Sequence, residues 1–211
     1  MERGQRDRAI PAVNRLRARP RPWRCCISGG ADRAGLEVIA AAAAHGADLI
    51  QVRVKTMEAA QLLEFCRAVR AACQGHPALL LVNERVDVAV AAGFDGVQLP
   101  AAGLPAGRVR AQIGPGLLIG QSCHSADEVA NSAADFVLLG PIFPTPSKLA
   151  FGPPLGLAAL RQAAAGATTP VVAVGGVTPA NAADCVAAGA AGVAAIRAWQ
   201  GGNNLWFPPV K

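Results

Sequence analysis

The sequence predicts one α/β domain, a single parallel (β/α)8 TIM barrel with a short or missing last helix. Three observations carry that prediction. Short apolar runs alternate with Ala-rich helical stretches until eight strand candidates have been counted. Several of these runs are apolar at almost every position, as expected of parallel strands buried on both faces. Polar clusters follow most strands instead of gathering at one switch point, and no G-x-G-x-x-G follows the first strand, so a doubly wound open sheet is the second choice. A chain of 211 residues can bury a substantial core in one long domain.

The elements follow in order. Residues 24–28 read as a strand ending at Gly29-Gly30, and residues 35–45 as an Ala-rich helix stopped by Gly46. A second strand spans residues 48–55; Thr56 then caps a helix over residues 57–74, with apolar positions at Leu62, Leu63, Cys66 and Val69. The next strands cover residues 78–83, 96–99, 117–124, 136–139, 171–174 and 192–196, with helices over residues 85–92, 106–113, 126–133, 157–165 and 179–188. After Trp199 the run Gln-Gly-Gly-Asn-Asn-Leu-Trp-Phe-Pro-Pro cannot form a helix, which puts closure of the barrel in question.

The formal charge of +6 is concentrated at one end. Residues 1–22 hold seven arginines against Glu2 and Asp7, leaving +5 there and about +1 in the remainder. The organisation expected is a basic, disordered arm over residues 1–22, a barrel over 23–199 and an irregular tail over 200–211. Removing the arm is expected to leave folding and ligand affinity unchanged. The arm lacks aromatic interleaving, so nucleic acid is not an expected partner. No apolar run is long enough to span a bilayer and no secretory h-region opens the chain, so a cytoplasmic protein with no membrane partner is expected. Six scattered cysteines without a C-x-x-C pair indicate neither zinc nor a disulfide framework.

In such a barrel the polar residues at C-terminal strand ends are the ones to inspect. Gln51, Arg53 and Lys55 share parity on the second strand; long polar groups facing a barrel interior are costly unless a ligand or counter-charge meets them. Asn83 and Glu84 end the third strand, and Gln98 lies near the end of the fourth. Ser122 and His124 share one face of the fifth, with Cys123 opposite, so Cys123 and His124 do not make a nucleophile and base pair. The sixth strand runs into Gly-Pro-Ile-Phe-Pro-Thr-Pro-Ser-Lys, where prolines at 141, 144 and 146 stiffen a loop carrying Thr145, Ser147 and Lys148 for an anionic ligand. Gly175 and Gly176 after the seventh strand suit either backbone contact with a phosphate or a tight turn.

With these pieces assembled, residues 25–199 resemble the thiamine-phosphate synthase and TenI family of barrels. The matching stretches are Gln51-Val-Arg-Val-Lys55, Val82-Asn-Glu-Arg-Val-Asp87, Gly96-Val-Gln-Leu99, Gly120-Gln-Ser-Cys-His-Ser125, Gly140-Pro-Ile-Phe-Pro-Thr-Pro-Ser-Lys148 and Val172-Ala-Val-Gly-Gly176. The resemblance implies a small-molecule partner, a thiazole phosphate, held by Gly175, Gly176 and the backbone around Ile196 and Arg197, with Thr145, Ser147 and Lys148 on the other side. A homo-oligomer is compatible with it. The synthase branch joins an aminopyrimidine diphosphate to thiazole phosphate with Mg²⁺ help, its metal held by an Asn-Asp pair and a second Asp in a His-Leu-Gly-Gln-x-Asp stretch. Here these read Asn83-Glu84 and Gln98-Leu-Pro-Ala-Ala-Gly103, so one ligand is lengthened and the other is missing. The TenI branch, a metal-free thiazole tautomerase, shows Gly-Val-Gln-Leu and Ser-x-His-Ser, as this chain does. The expected activity is therefore the tautomerase, without cofactor, with Glu84 a weak candidate metal ligand and Mg²⁺ needed only by the synthase alternative. His124 would be the general acid-base, Ser122 and Gln98 would orient substrate beside Gln51 and Asn83, and Arg53, Lys55 or Lys148 would meet anionic groups. A catalytically silent thiazole-phosphate binder is the third reading.

Overall fold

The computed structural model describes residues 10–54, 56–145, 153–200 and 206. Eight parallel strands close into a barrel in sequential order: β1 (Trp23–Ile27), β2 (Leu49–Val52), β3 (Leu79–Asn83), β4 (Gly96–Leu99), β5 (Leu118–Cys123), β6 (Phe136–Leu139), β7 (Val171–Val174) and β8 (Gly192–Ala195). Helices α2 (Arg33–Ala44), α3 (Ala59–Ala72), α4 (Val86–Ala92), α5 (Ala106–Ile113), α6 (Ala126–Ala130), α7 (Gly156–Gly166) and α8 (Ala182–Ala187) connect them, and α1 (Ala12–Arg17) precedes β1. Strand alternation divides the core in two. Trp23, Cys25, Leu49, Leu79, Leu81, Leu118, Phe136, Leu138 and Val172 fill the barrel, while Cys26, Ile50, Val82, Val137 and Val193 face the helices. At Gly120 a side chain would collide with the Gln98 amide and the Phe136 ring, so the missing Cβ is what lets both enter the barrel.

The amino-terminal segment corrects the expectation of a disordered arm over its described part, residues 10–22. Helix α1 lies under the barrel, with Ala12 and Leu16 buried in the interior cluster. Two arginines, one on this helix and one just beyond it, are internal partners: Arg15 pairs with Asp95, and Arg19 reaches Asp48 at 3.3 Å and the Pro77 carbonyl. Those aspartates belong to a repeated device at the barrel floor. Asp48, Asp95 and Asp135 stand directly before β2, β4 and β6, and each carboxylate accepts from the backbone N–H of a residue in the preceding strand: Arg24 at 2.9 Å, Leu80 at 2.8 Å and Ile119 at 2.8 Å. Arg110 serves the third, at 2.5 Å, as Arg19 and Arg15 serve the other two.

At the carboxy-terminal end the last helix is missing, as expected, and the question of closure is answered. Closure is complete, since Trp23 to Cys26 on β1 pair with Gly192 to Ala195 on β8. A short 3-10 turn, Arg197–Trp199, follows β8 in place of an α-helix. Its Trp199 is buried, donates from Nε1 to the Cys25 carbonyl at 3.1 Å, and packs on Trp206 with ring centroids 5.3 Å apart. Both rings join the layer between strands and helices, so aromatic bulk fills the space that a final helix would otherwise cover.

All six cysteines are free and buried. Burial pushes the thiols up, to about 12 for Cys26, Cys66 and Cys123 and to about 11 for Cys73 and Cys185. Native thiols thus stay protonated where the unfolded chain, near pH ~8.5, loses its protons. Their contribution to stability is full below that value and is lost progressively as pH rises from there through the folded values of about 11 to 12. An alkylating reagent at pH 8 should label none of the six in the native protein and all after denaturation; rapid native labelling would contradict this burial. Among the described residues, no helix is long and apolar enough to cross a membrane.

Candidate functional site

The C-terminal mouth of the barrel collects the polar residues that parity singled out. Gln51 is buried and donates from Nε2 to Asn83 Oδ1 at 3.1 Å, and Asn83 donates to Glu84 Oε2 at 2.9 Å. Gln51 Oε1 is buried without a hydrogen-bond partner among the described residues. A buried acceptor left unpaired costs about 1–3 kcal/mol, so a donor on a ligand would be rewarded there. Half-buried Arg53 follows β2, and among the described residues its guanidinium has no acceptor. Buried Ser28, at the end of β1, accepts from Arg53 N at 2.8 Å. Sequence parity missed this residue; its only signal was a hydroxyl at the end of an apolar strand.

Glu84 adopts φ 61°, the left-handed region that a carboxylate side chain seldom enters, and its N–H donates to the Gln98 carbonyl at 2.9 Å. Gln98 is buried between β3 and β5. Its amide lies 3.3 Å from Ser122 Oγ, and with the amide oxygen turned to β5 it accepts from Ser122 N at 3.1 Å and Gln121 N at 3.3 Å. The amide is thus engaged in fixing β5 and Ser122.

His124 follows β5, exposed at the mouth. Its Nδ1 lies 2.6 Å from the Gly140 carbonyl, and its N–H donates to Glu128 Oε2 at 2.7 Å. A carbonyl can only accept, so Nδ1 carries the proton of the neutral ring and Nε2 is left as the acceptor. Cys123 faces the opposite way, into the layer beneath the helices, as parity required.

Across the mouth, β6, β7 and β8 converge. Ile142 N donates to Val174 O at 2.9 Å and Phe143 N to Gly175 O at 3.0 Å, so the loop after β6 lies on the loop after β7. Gly175 (φ 91°) and Gly176 (φ 66°) permit that contact: a Cβ on Gly175 would stand 2.6 Å from Pro141 Cα, and one on Gly176 2.6 Å from the Pro144 carbonyl. Close loop packing therefore accounts for both glycines. Thr145 is buried and accepts from Arg197 Nη2 at 3.0 Å, joining the β6 loop to the turn that begins beyond Ile196. Gly176→Val should cost about 2–4 kcal/mol by strain and collision, read as a lower urea midpoint; an unchanged midpoint would contradict this packing. Lys55, Ser147 and Lys148 lie outside the described residues.

Gln51, Arg53, Asn83 and Glu84 thus stand on one side of the mouth, His124 and Ser122 between, and Gly175, Gly176, Thr145, Ile196 and Arg197 on the other. Comparison with known proteins shows the family. Residues 25–199 match the family model described as thiamine monophosphate synthase. The chain is 47% identical over 179 residues to a thiamine-phosphate synthase of Methanoculleus marisnigri, covering 83% of this chain and 85% of that one. It is 42% identical over 174 residues to a thiamine-phosphate synthase of Laribacter hongkongensis, covering 82% of each. Among solved structures, thiamine phosphate pyrophosphorylase from Pyrococcus furiosus superposes with a TM-score of 0.77 at 30% identity, over 92% of each chain. The chain belongs to the thiamine monophosphate synthase family.

Proposed function

We propose that the protein is a thiamine-phosphate synthase, joining an aminopyrimidine diphosphate to a thiazole phosphate and releasing diphosphate. The relatives at 42% and 47% identity carry that name, which favours joining over the tautomerase expected from motif detail. The observation that carries the reading is the division of the mouth. Just past β2, Arg53 has no acceptor among the described residues and the Gln51 amide oxygen has no donor, while across the mouth the β6 loop bonds both to Gly175, through Phe143 N, and to Arg197, through Thr145. Two such corners fit two phosphorylated substrates. As the bond to diphosphate breaks and the bond to the thiazole forms, the leaving group takes the electron pair, and a cation placed beside it stabilises that charge. Arg53 is the described residue suited to this, and Gln51 would hold the pyrimidine by its free amide oxygen.

The Mg²⁺ that resemblance implies for a synthase does not fit the donor set well. Glu84 offers one exposed carboxylate already bonded to Asn83, the Asn83 amide oxygen is occupied by Gln51, and position 103 is glycine. A Cβ at Gly103 would lie 2.8 Å from Pro100 Cγ, so that turn is built without a side chain. A site of this kind commonly uses one or two carboxylates, and here only Glu84 remains of the two expected positions.

The same missing carboxylate, with His124 Nε2 left as an acceptor, favours a second reading as thiazole tautomerase. There His124→Asn should lower ring aromatisation about 10²-fold with thiazole-phosphate affinity held within a few fold. Incubating the protein with each substrate separately and with both together tests the choice. Thiamine phosphate formed only from the pair supports the synthase; aromatisation of carboxythiazole phosphate alone supports the tautomerase.

A further inference from the structure

Ser28 is buried, at 3% exposure, where the strands around it present mainly apolar groups to the helices and the barrel. The ladder between β1 and β2 ends with Ile27 opposite Gln51, and Ser28 N still donates to Gln51 O at 2.8 Å. Beyond that rung the sheet has no further backbone partner for Arg53, which lies just past Val52, the last residue of β2. The Ser28 hydroxyl supplies it. Oγ accepts from Arg53 N at 2.8 Å and donates to Arg53 O at 3.4 Å, so one side chain engages both backbone groups of the same residue.

This contact fixes the place from which the arginine side chain starts. Arg53 has the same parity as Gln51, whose amide is in the mouth, and its guanidinium has no acceptor among the described residues. A long cation with an unrestrained origin loses more conformational entropy when it binds an anion than one whose backbone is already held. We propose that Ser28 is a positioning residue, holding Arg53 so that its guanidinium meets the diphosphate of the incoming substrate. The identity of that anion rests on the synthase reading, but the dependence of Arg53 on Ser28 rests on the hydrogen bonds. Alanine removes both bonds, whereas threonine keeps a hydroxyl on the same carbon.

The test is a double-mutant cycle read by calorimetric titration with inorganic pyrophosphate, using the full chain. Ser28→Ala should weaken pyrophosphate binding about three- to tenfold, the range set by loss of one typical hydrogen bond, and Ser28→Thr should restore most of it. In an Arg53→Met background the same change should have no further effect, an outcome that general loss of stability would not produce. An equal weakening with and without Arg53, or wild-type affinity in a folded Ser28→Ala variant, overturns the proposal. Failure of the synthase reading is distinguishable: it is judged by thiamine phosphate formation in the wild type. If the wild type makes thiamine phosphate and Ser28→Ala keeps its KM for the pyrimidine diphosphate, the Ser28 proposal alone is overturned.

Discussion

Deleting residues 1–22 should lower the thermal unfolding midpoint by about 10–20 °C. Burying a leucine side chain contributes about 1.5–3 kcal/mol, and Leu16 is buried at 1% exposure against the barrel floor. The deletion also takes Arg15 from Asp95 and Arg19 from Asp48, leaving carboxylates that are largely out of water with one partner fewer; such losses cost about 1–3 kcal/mol each. A total near 5 kcal/mol, at about 2–4 °C per kcal/mol for a domain of this size, gives the stated shift. Leu16→Ala in the full chain should give about 2–4 kcal/mol of this without disturbing the arginines. A truncated protein that melts within about 2 °C of the intact one would mean that α1 adds nothing to the floor.

Arg53→Met should lower kcat/KM for thiamine phosphate formation about 10²- to 10³-fold while thiazole-phosphate affinity stays within a few fold. Truncating one partner of a desolvated, hydrogen-bonded charge pair costs about 2–5 kcal/mol, and half-buried Arg53 falls toward the middle of that range once diphosphate covers it. The corner proposed for the thiazole phosphate is separate, built from β6, β7 and the turn after β8, so affinity for that substrate should not follow the change. Arg53→Lys should recover part of the loss, because a point charge replaces a planar fork. If both substrates lost affinity together, the two-corner division of the mouth would be wrong.

The barrel itself was legible because its strands are short apolar runs bounded by glycines and polar ends, a local pattern that the register then honours from β1 to β8. What local pattern could not convey was pairing over long distances. Seven arginines in residues 1–22 look like a solvated arm until Asp95 and Asp48, far along the chain, are found beside Arg15 and Arg19. Trp206 has no helical periodicity around it, and its role emerges only when it meets Trp199 in the outer layer. In the site, parity brought Gln51 and Arg53 to the mouth, yet the bonds from Gln51 to Asn83 and from Ser28 to Arg53 depend on the relative register of neighbouring strands. The glycines at 175 and 176 suited a phosphate or a turn equally well, and the close approach of Pro141 and Pro144 accounts for them structurally.

The most direct measurement follows diphosphate and thiamine phosphate in one reaction containing aminopyrimidine diphosphate, thiazole phosphate and the wild-type protein. The synthase reading predicts that the two products appear in equal amounts and that neither forms when one substrate is withheld. Carboxythiazole phosphate aromatised in the absence of the pyrimidine, with no diphosphate released when both substrates are present, would contradict it.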